Sequence, residues 1–301
     1  MKVIPSSEAK TLKTKASLQN CLDSISEFEL NEIVETISIP RHFKYNSSNN
    51  KQVADWIFAQ FSSFGYETHF QGKFSNVVAL NPLAKSDFVI LIGAHYDSVP
   101  NCPGADDNGS AVAGLIACAK AISKFAPHLP VCFVAFNCEE DGLVGSQDFV
   151  ENYLSQSNLK IKQVHILEMI GYSTDKPNSQ TSPANLPIKI PSVGNFLGIM
   201  GNQSSKNLVD EVLNLRKSYL PELTVLGLKL FLGIEKLVPD LGRSDHLPFW
   251  QKGIPALMWT DTADFRNPNY HRLTDTPETL NYTFLKKVTQ LLLLQALNVE
   301  W

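Results

Sequence analysis

Three consecutive segments decide the fold: VILIGAHYDSVP (89–100), NCPGADDNGSAVAGLIACAKAIS (101–123) and VCFVAFNCEEDG (131–142). Two apolar, β-branched runs each end abruptly in residues that bind metals or move protons, and an Ala-rich helical pattern lies between them. The order reads strand, loop, helix, strand, and parallel strands joined by a crossover helix make an α/β sheet. In open sheets of this kind ligands bind in the crevice beyond the carboxyl ends of the strands. His95, Asp97, Asp107, Glu139 and Glu140 all fall at or just past such ends, which places the candidate site there.

Outward from this block, residues 1–25 are polar and Lys/Ser-rich and read as a frayed tail, leaving one domain over 26–301. Phe28, Leu30, Ile33, Val34 and Ile37 recur at helical spacing before Pro40, and KQVADWIFAQFSSFG (51–65) sets Val53, Ile57, Phe58 and Phe61 on one face. Residues 66–71 and 76–80 read as paired strands. Residues 88–94 and 131–136 read as strands buried on both faces, because their apolar residues are continuous. Residues 142–153 read as helical, 164–169 as a strand with Glu168 near its end, and 172–191 as a long polar, Pro-rich insertion of the lid type. Strands are expected over 196–200, 223–230 and IPALMWT (254–260), and helices over 204–219 and 277–297. The fold class is α/β: a single domain with a central mixed, mostly parallel sheet flanked by helices.

Of the 301 residues, 44% are hydrophobic and 19% charged, enough apolar content for a sizeable core. A formal charge of −4 offers no basic face to a phosphate backbone, so no nucleic-acid partner is expected and a peptide or amino-acid derivative is the better substrate class. The stretch MKVIPSSEAKTLKTKASLQN lacks an apolar signal core, and LLLLQAL (291–297) is too short to span a bilayer. No membrane partner is expected, and the location reads as cytoplasmic. Five cysteines without C-x-x-C spacing make neither a disulfide framework nor a thiolate zinc site.

His95, Asp107, Glu140, Glu168 and His271 supply nitrogen and oxygen ligands and no thiolate, a donor set that suits zinc. If Asp107 bridges two ions, His95 goes with Glu168 and His271 with Glu140, and each ion keeps an open position. Two ions about 3.5 Å apart generate a hydroxide and clamp the oxygens of a hydrolytic transition state. Glu139 points away from its neighbour Glu140 if both sit at a strand end, which frees it as general base. Asp97 is placed to accept the second N–H of the His95 imidazole. Singly, each part is unremarkable: GADDNGS makes a good turn and N-cap, Glu-Glu is commonly a solvated face, and TDTPETL is a strong helix start. Their joint occurrence in this order carries the reading.

That order resembles the zinc-dependent aminopeptidase family with two co-catalytic metals, which also contains glutamate carboxypeptidase and, as a divergent branch, the glutaminyl cyclases. The resemblance rests on GAHYDS (93–98), PGADDNGSA (103–111), FNCEEDGLVGS (136–146), LEMIGY (167–172), RSDHLPFW (243–250) and YHRLTDTPETL (270–280), and spans nearly the whole chain. It implies zinc ligation by His95, Asp107 as the bridge (Asp106 being the fallback), Glu140, Glu168 and His271, with Glu139 as base. Glu168 stands where many members carry Asp; the extra methylene still permits ligation. Arg243, Asp245, Arg266 and Tyr270 look like the substrate side, and His246 like the oxyanion donor. Phe249, Trp250, Trp259 and Phe265 are candidates for an apolar pocket. The function implied is a metal-dependent exopeptidase, foremost an aminopeptidase, with two zinc ions per chain or one. Two rivals follow. A glutaminyl cyclase would use one zinc, but that branch lacks the GADDN form present here. A non-catalytic binding module of the same fold would have lost ligands, and all of them are present.

Overall fold

Continuous apolar runs become strands with a core on each side. In the computed structural model of the chain, residues 2–5, 16–86, 88–183 and 188–298 are described. Among them one sheet gathers β1 (Lys2–Pro5), β2 (Glu67–Gln71), β3 (Asn76–Leu80), β4 (Phe88–His95), β5 (Val131–Phe136), β6 (Lys160–Glu168), β7 (Leu197–Gly201), β8 (Val225–Lys229) and β9 (Ala256–Thr260). Their spatial order is β1-β8-β7-β9-β6-β4-β5-β3-β2. The expected mixed sheet is present, with its parallel part in the centre: β5, β4, β6 and β9 run side by side in parallel, as do β7 and β8. The joins β3–β5, β2–β3, β7–β9 and β1–β8 are antiparallel.

The helices are α1 (Ala16–Asp23), α2 (Glu27–Ile37), α3 (Ser47–Ser63), α4 (Ala111–Phe125), α5 (Val144–Asp148), α6 (Leu154–Gln156), α7 (Lys206–Tyr219), α8 (His246–Gln251) and α9 (Tyr282–Leu297). Strand residues alternate between two cores. Ile90, Ile92 and Phe133 face a core shared with α2, α3, α4, α7 and α9. Val89, Leu91, Cys132 and Val134 face a second core with Phe149, Phe249 and Trp250. This two-sided burial is why these runs show no polar alternation. Ala and Gly in α4 let the helix lie close to the sheet and to α9; a Cβ on Gly114 would stand 3.2 Å from both Ile170 and Thr289.

Three local expectations are corrected. Residues 1–25 are not a frayed tail where they are described, since Lys2–Pro5 pairs with β8 and α1 contributes Cys21 and Leu22 to the core, followed by Ile25. Phe28 is 70% exposed, because the buried stripe of α2 is Leu30, Ile33, Val34 and Ile37. The last helix begins at Tyr282 behind an Asn281 cap that accepts from the Phe284 N–H, and Pro277–Thr279 is a separate short turn.

Candidate metal centre

Five ligand candidates meet at the carboxyl end of the sheet. His95 closes β4 and Glu168 closes β6; Glu139 and Glu140 lie in the turn after β5; Asp107 lies in the turn Ala105–Ser110 before α4; His271 lies on the loop after β9. His95 Nε2 lies 3.4 Å from Asp107 Oδ1 and 3.5 Å from Glu168 Oε2. His271 Nε2 lies 3.1 Å from the other Asp107 oxygen, Oδ2, and 3.3 Å from Glu140 Oε2. Two compact donor groups therefore form, His95–Asp107–Glu168 and Asp107–Glu140–His271, with Asp107 common to both. Left-handed backbone at Cys138 (φ 59°), Met169 (φ 48°) and His271 (φ 58°) marks turns at or beside these ligands. Non-glycine residues in this region are costly and persist where the surroundings hold them.

The supporting contacts are specific. Asp97 accepts from the backbone N–H of Glu139 and of Glu140, at 3.2 Å each, while its Oδ1 faces His95 Nδ1 at 3.4 Å. It thus fixes one ligand and the turn that carries two further acids. Ser244 Oγ donates to Glu168 Oε2 at 2.7 Å. Asp275 accepts from the N–H groups of Asp106 and Asp107, at 2.9 and 3.1 Å, tying the bridging turn to the loop of His271. Arg41, fully buried, donates to the carbonyls of Tyr96, Pro103 and Gly104 and so clamps the segment between His95 and Asp107. The sequence reading passed over Arg41, Ser244 and Asp275. Arg41 sits at the start of a polar loop, IPRHFKYNSSNN (39–50), where nothing local marks it as buried.

Charge in the cluster calls for a cation. Burial opposes ionisation of Asp107, but the His271 and His95 imidazoles that face it outweigh it and hold the carboxyl below its usual range. Burial and the neighbouring Asp107 push Glu140 up to about 7. Glu139 is raised well above the usual carboxyl range by burial, and by Glu168, Glu140 and Asp245 against the opposing pull of His95. His271 is moved up to about 10: burial lowers it, and hydrogen bonds to Asp107 and Glu140 more than compensate. Without a cation, buried acids and imidazoles can balance only by taking up protons. Both ring nitrogens of His95 and one oxygen of Glu140 are buried without a hydrogen-bond partner. Orphaned donors converging on shared carboxylates fit metal ligation, and the nitrogen and oxygen set fits a borderline divalent ion.

The remaining expected site residues divide. Arg243 and Tyr270 line the cavity beside the ligands: the Arg243 guanidinium donates to Tyr270 Oη at 3.0 Å and to Asp264 at 3.1 Å, and the Tyr270 ring stacks on His271 with centroids 3.8 Å apart. Asp245 lies behind the ligands, fully buried beside Ser146 and pushed up to about 7 by burial, and does not line the cavity. Arg266 is a structural residue, not a substrate contact. It donates to Gln180 Oε1 at 2.8 Å and to the Tyr172 carbonyl at 3.3 Å, anchoring the 172–183 insertion. His246 is not an oxyanion donor. Its Nε2 faces the Leu241 carbonyl at 2.9 Å and so carries the ring proton, burial pushes the imidazole down to about 4, and the neutral Nδ1 has no proton to give. Of the aromatic candidates only Phe265 lines the cavity; Phe249 and Trp259 are core, and the Trp250 indole donates to the Ala256 carbonyl.

The cavity that opens beside Asp107, Glu139, Glu140 and Glu168 has a volume of about 480 Å³. The sequence pattern of peptidase family M28 matches residues 76–218 and 231–296, a span that includes all five ligand candidates. This chain belongs to peptidase family M28. Among individual relatives of this M28 peptidase, the protein YfbL of Escherichia coli is 34% identical over 261 residues, covering 81% of this chain and 78% of the relative. The fold is shared with LapB from Legionella pneumophila, at a TM-score of 0.76 and 22% identity over 95% of this chain and 76% of that one. BSAP, a zinc aminopeptidase from Bacillus subtilis, aligns at 25% identity with a TM-score of 0.55, covering 74% of this chain and 49% of the other. The M28 peptidase spans less than half the length of the curated aminopeptidases it matches.

Proposed function

We propose that this M28 peptidase is a zinc-dependent aminopeptidase that removes N-terminal residues from peptides, with two ions shared through Asp107. The observation that carries the reading is the pair of donor groups meeting on opposite oxygens of Asp107 with Glu139 alongside. Membership of the family, the donor chemistry and the likeness to a zinc aminopeptidase support it. When bound, the zinc ions act as Lewis acids on the scissile carbonyl and on water.

The chain's own residues then have distinct tasks. Glu139 Oε2 lies 3.9 Å from His95 Nε2, beside the ligands without closing either donor group. Its carboxylate takes a proton from the attacking water and returns it to the leaving amine. Its raised affinity for protons, set by burial among acids, suits both halves of that transfer. The Tyr270 hydroxyl accepts from Arg243, so its own proton is left to point at the cavity, where charge develops on the carbonyl oxygen. Asp97 and Ser244 keep the acids and His95 in place. The glutaminyl cyclase reading is weaker because Asp107 is equidistant, within a few tenths of an ångström, from two histidines. Five buried cysteines, none in a disulfide, support a reducing, cytoplasmic setting. Among the described residues no helix is long and apolar enough to cross a membrane.

The test is zinc content per chain with hydrolysis of amino-acid arylamides before and after chelation. About two zincs and chelator-sensitive release of the arylamine support the reading. One zinc, no hydrolysis and cyclisation of an N-terminal Gln peptide would overturn it in favour of the cyclase.

A further inference from the structure

The cavity beside the ligands is long in one direction, and the sheet register measures it. Glu168, the last residue of β6, pairs with Thr260 of β9. Thr260 pairs with Gly198 of β7, and Gly198 pairs with Leu226 of β8. All four residues line the cavity. A second row runs parallel to the first, Met258 to Met200 to Leu228, and these three line it too. The floor of the cavity is therefore two registered rows that cross three strands outward from a metal-ligand candidate. Neighbouring strands lie about 4.8 Å apart, so the row from Glu168 to Leu226 is roughly 14 Å long. Beyond Thr260 the floor is apolar, and Ile188, Ile190, Phe196 and Phe265 also line the cavity.

A single leucine or phenylalanine side chain reaches across about one strand spacing. The far two thirds of the row would stay empty behind it. Carbon–carbon bonds of about 1.5 Å at angles near 111° advance roughly 1.25 Å each along an extended chain, so the row, less about 1.8 Å of van der Waals clearance at each end, matches about eight to ten carbons. Gly198 makes the row continuous. A side chain there would rise between Thr260 and Leu226 and divide the near end from the far end. The two anions on the rim, Asp240 and Asp264, are both engaged by Arg243, so they do not make the slot attractive to a cation.

We propose that this cavity is a slot for an extended apolar chain of about eight to ten carbons carried on the carbonyl side of the scissile amide. The inference deepens the exopeptidase reading and rests on it for the side assigned. An exopeptidase must let the remainder of its substrate leave to solvent, so a slot that runs from a metal-ligand candidate along an apolar sheet floor takes the terminal group, and in aminopeptidase geometry that group bears the carbonyl. The reaction is hydrolysis: the amide C–N bond breaks, water oxygen joins the carbonyl carbon to give the carboxylate, and the amine departs with the proton. The chain has two chemical sources, the side chain of an elongated apolar α-amino acid or a fatty acyl group without the α-amine.

Two series of p-nitroanilides separate the sources in the zinc-loaded protein: alanyl, leucyl, 2-aminooctanoyl and 2-aminodecanoyl, and butanoyl, octanoyl and decanoyl. Each buried methylene strengthens binding about fourfold, so kcat/KM should climb by about that factor per carbon up to eight or ten carbons. A climb in the first series alone assigns an amino-acid side chain, and a climb in the second assigns an acyl chain. Gly198→Val, whose Cβ meets the Thr260 carbonyl oxygen at 3.3 Å, should shift the optimum to shorter chains and cut the ten- to four-carbon ratio at least tenfold. Leu226→Trp, at the far end, should give the same shift and guards against a folding defect in the first variant. Leucyl anilide cleaved with no gain from longer chains overturns the slot and leaves the exopeptidase reading standing. If no anilide is cleaved, that reading fails and the slot is judged by calorimetric binding of 1-butanol, 1-octanol and 1-decanol. Affinity that climbs with length and is lost in Gly198→Val supports the slot, and flat affinity overturns it.

Discussion

Glu139 and Glu140 are adjacent in sequence and turn to different histidines: Glu139 stands 3.9 Å from His95 Nε2, and Glu140 stands 3.3 Å from His271 Nε2. The two lie in a turn and not in an extended segment, with Gly142 and Leu143 both donating to the Glu139 carbonyl, and the turn separates a candidate base from a candidate ligand. Replacing Glu139 with Gln keeps the shape and removes the proton acceptor. Turnover should fall by at least about 100-fold with zinc content unchanged, read by steady-state kinetics and elemental analysis. Unaltered turnover would remove Glu139 from the mechanism. His271→Ala and Asp107→Ala should instead lose metal together with activity, and metal content that survives both substitutions shows the ligand set to be wrong. At this scale the sequence was informative about acids and histidines that end strands, because position at a strand end already constrains direction. It misled at His246 and Arg266. Arg266 is directed by Gln180, 86 residues away, which no local pattern encodes, and His246 by the Leu241 carbonyl five residues upstream, a backbone group that residue types do not mark.

The loops, more than the strands, decide whether the five ligands meet. The TDTP segment illustrates this: its residue types announce a helix start, and Pro277–Thr279 does form a short turn, but the Asp275 carboxylate is spent on the N–H groups of Asp106 and Asp107. Asp275→Ala leaves two buried donors unpaired and releases the bridging turn from the loop of His271. Zinc affinity should drop about 10- to 100-fold, the usual effect of removing a residue that orients a ligand, measured by competition with a chromophoric chelator. Affinity within a factor of two of the parent protein would show that the turn holds its shape without Asp275. Strands β4 and β5 were legible within a residue, since burial on both faces writes itself as an unbroken apolar run, whereas β6 begins four residues ahead of the expected 164, in the polar stretch Lys160–Gln163. A mixed sheet was expected, but that half of its joins are antiparallel, and which ones, was not legible. Pairing partners for β7, β8 and β9 depend on which strands the intervening helices leave adjacent, a property of the chain's path. The slot floor was hidden for the same reason, because Gly198, Thr260 and Leu226 become neighbours only through that pairing.

Across the whole molecule, clustered acids and buried imidazoles link stability to metal and to pH. A ligand present at about a thousand times its dissociation constant adds roughly 4 kcal/mol to a native state that alone binds it, which for a domain of this size raises Tm by about 6 °C. Chelation should therefore lower Tm by several degrees in scanning calorimetry, and an unchanged Tm would deny the cluster a tightly held cation. The pH response has a separate source. Burial pushes His165 down to about 3 and His246 down to about 4. His165 sits in the core with Trp259 Nε1 donating to its Nδ1 at 3.2 Å and Gln163 Nε2 3.0 Å from its Nε2. In the unfolded chain both imidazoles titrate near the ordinary value of about 6.5. Between that value and their native ones the unfolded state binds protons that the native state refuses. Stability is then fully present above about pH 6.5 and declines as pH falls, by about 1.4 kcal/mol per unit for each histidine. The two together should remove about 4 kcal/mol between pH 7.5 and pH 5. His165→Gln keeps an acceptor for the Trp259 indole and has no proton to take up. Urea unfolding of this variant should show about 2 kcal/mol less loss over the same interval than the parent protein at equal zinc, so that metal release is common to both. Equal losses in the two proteins would mean that His165 is protonated in the native state, and that its surroundings are wetter than the packing against Trp259 implies.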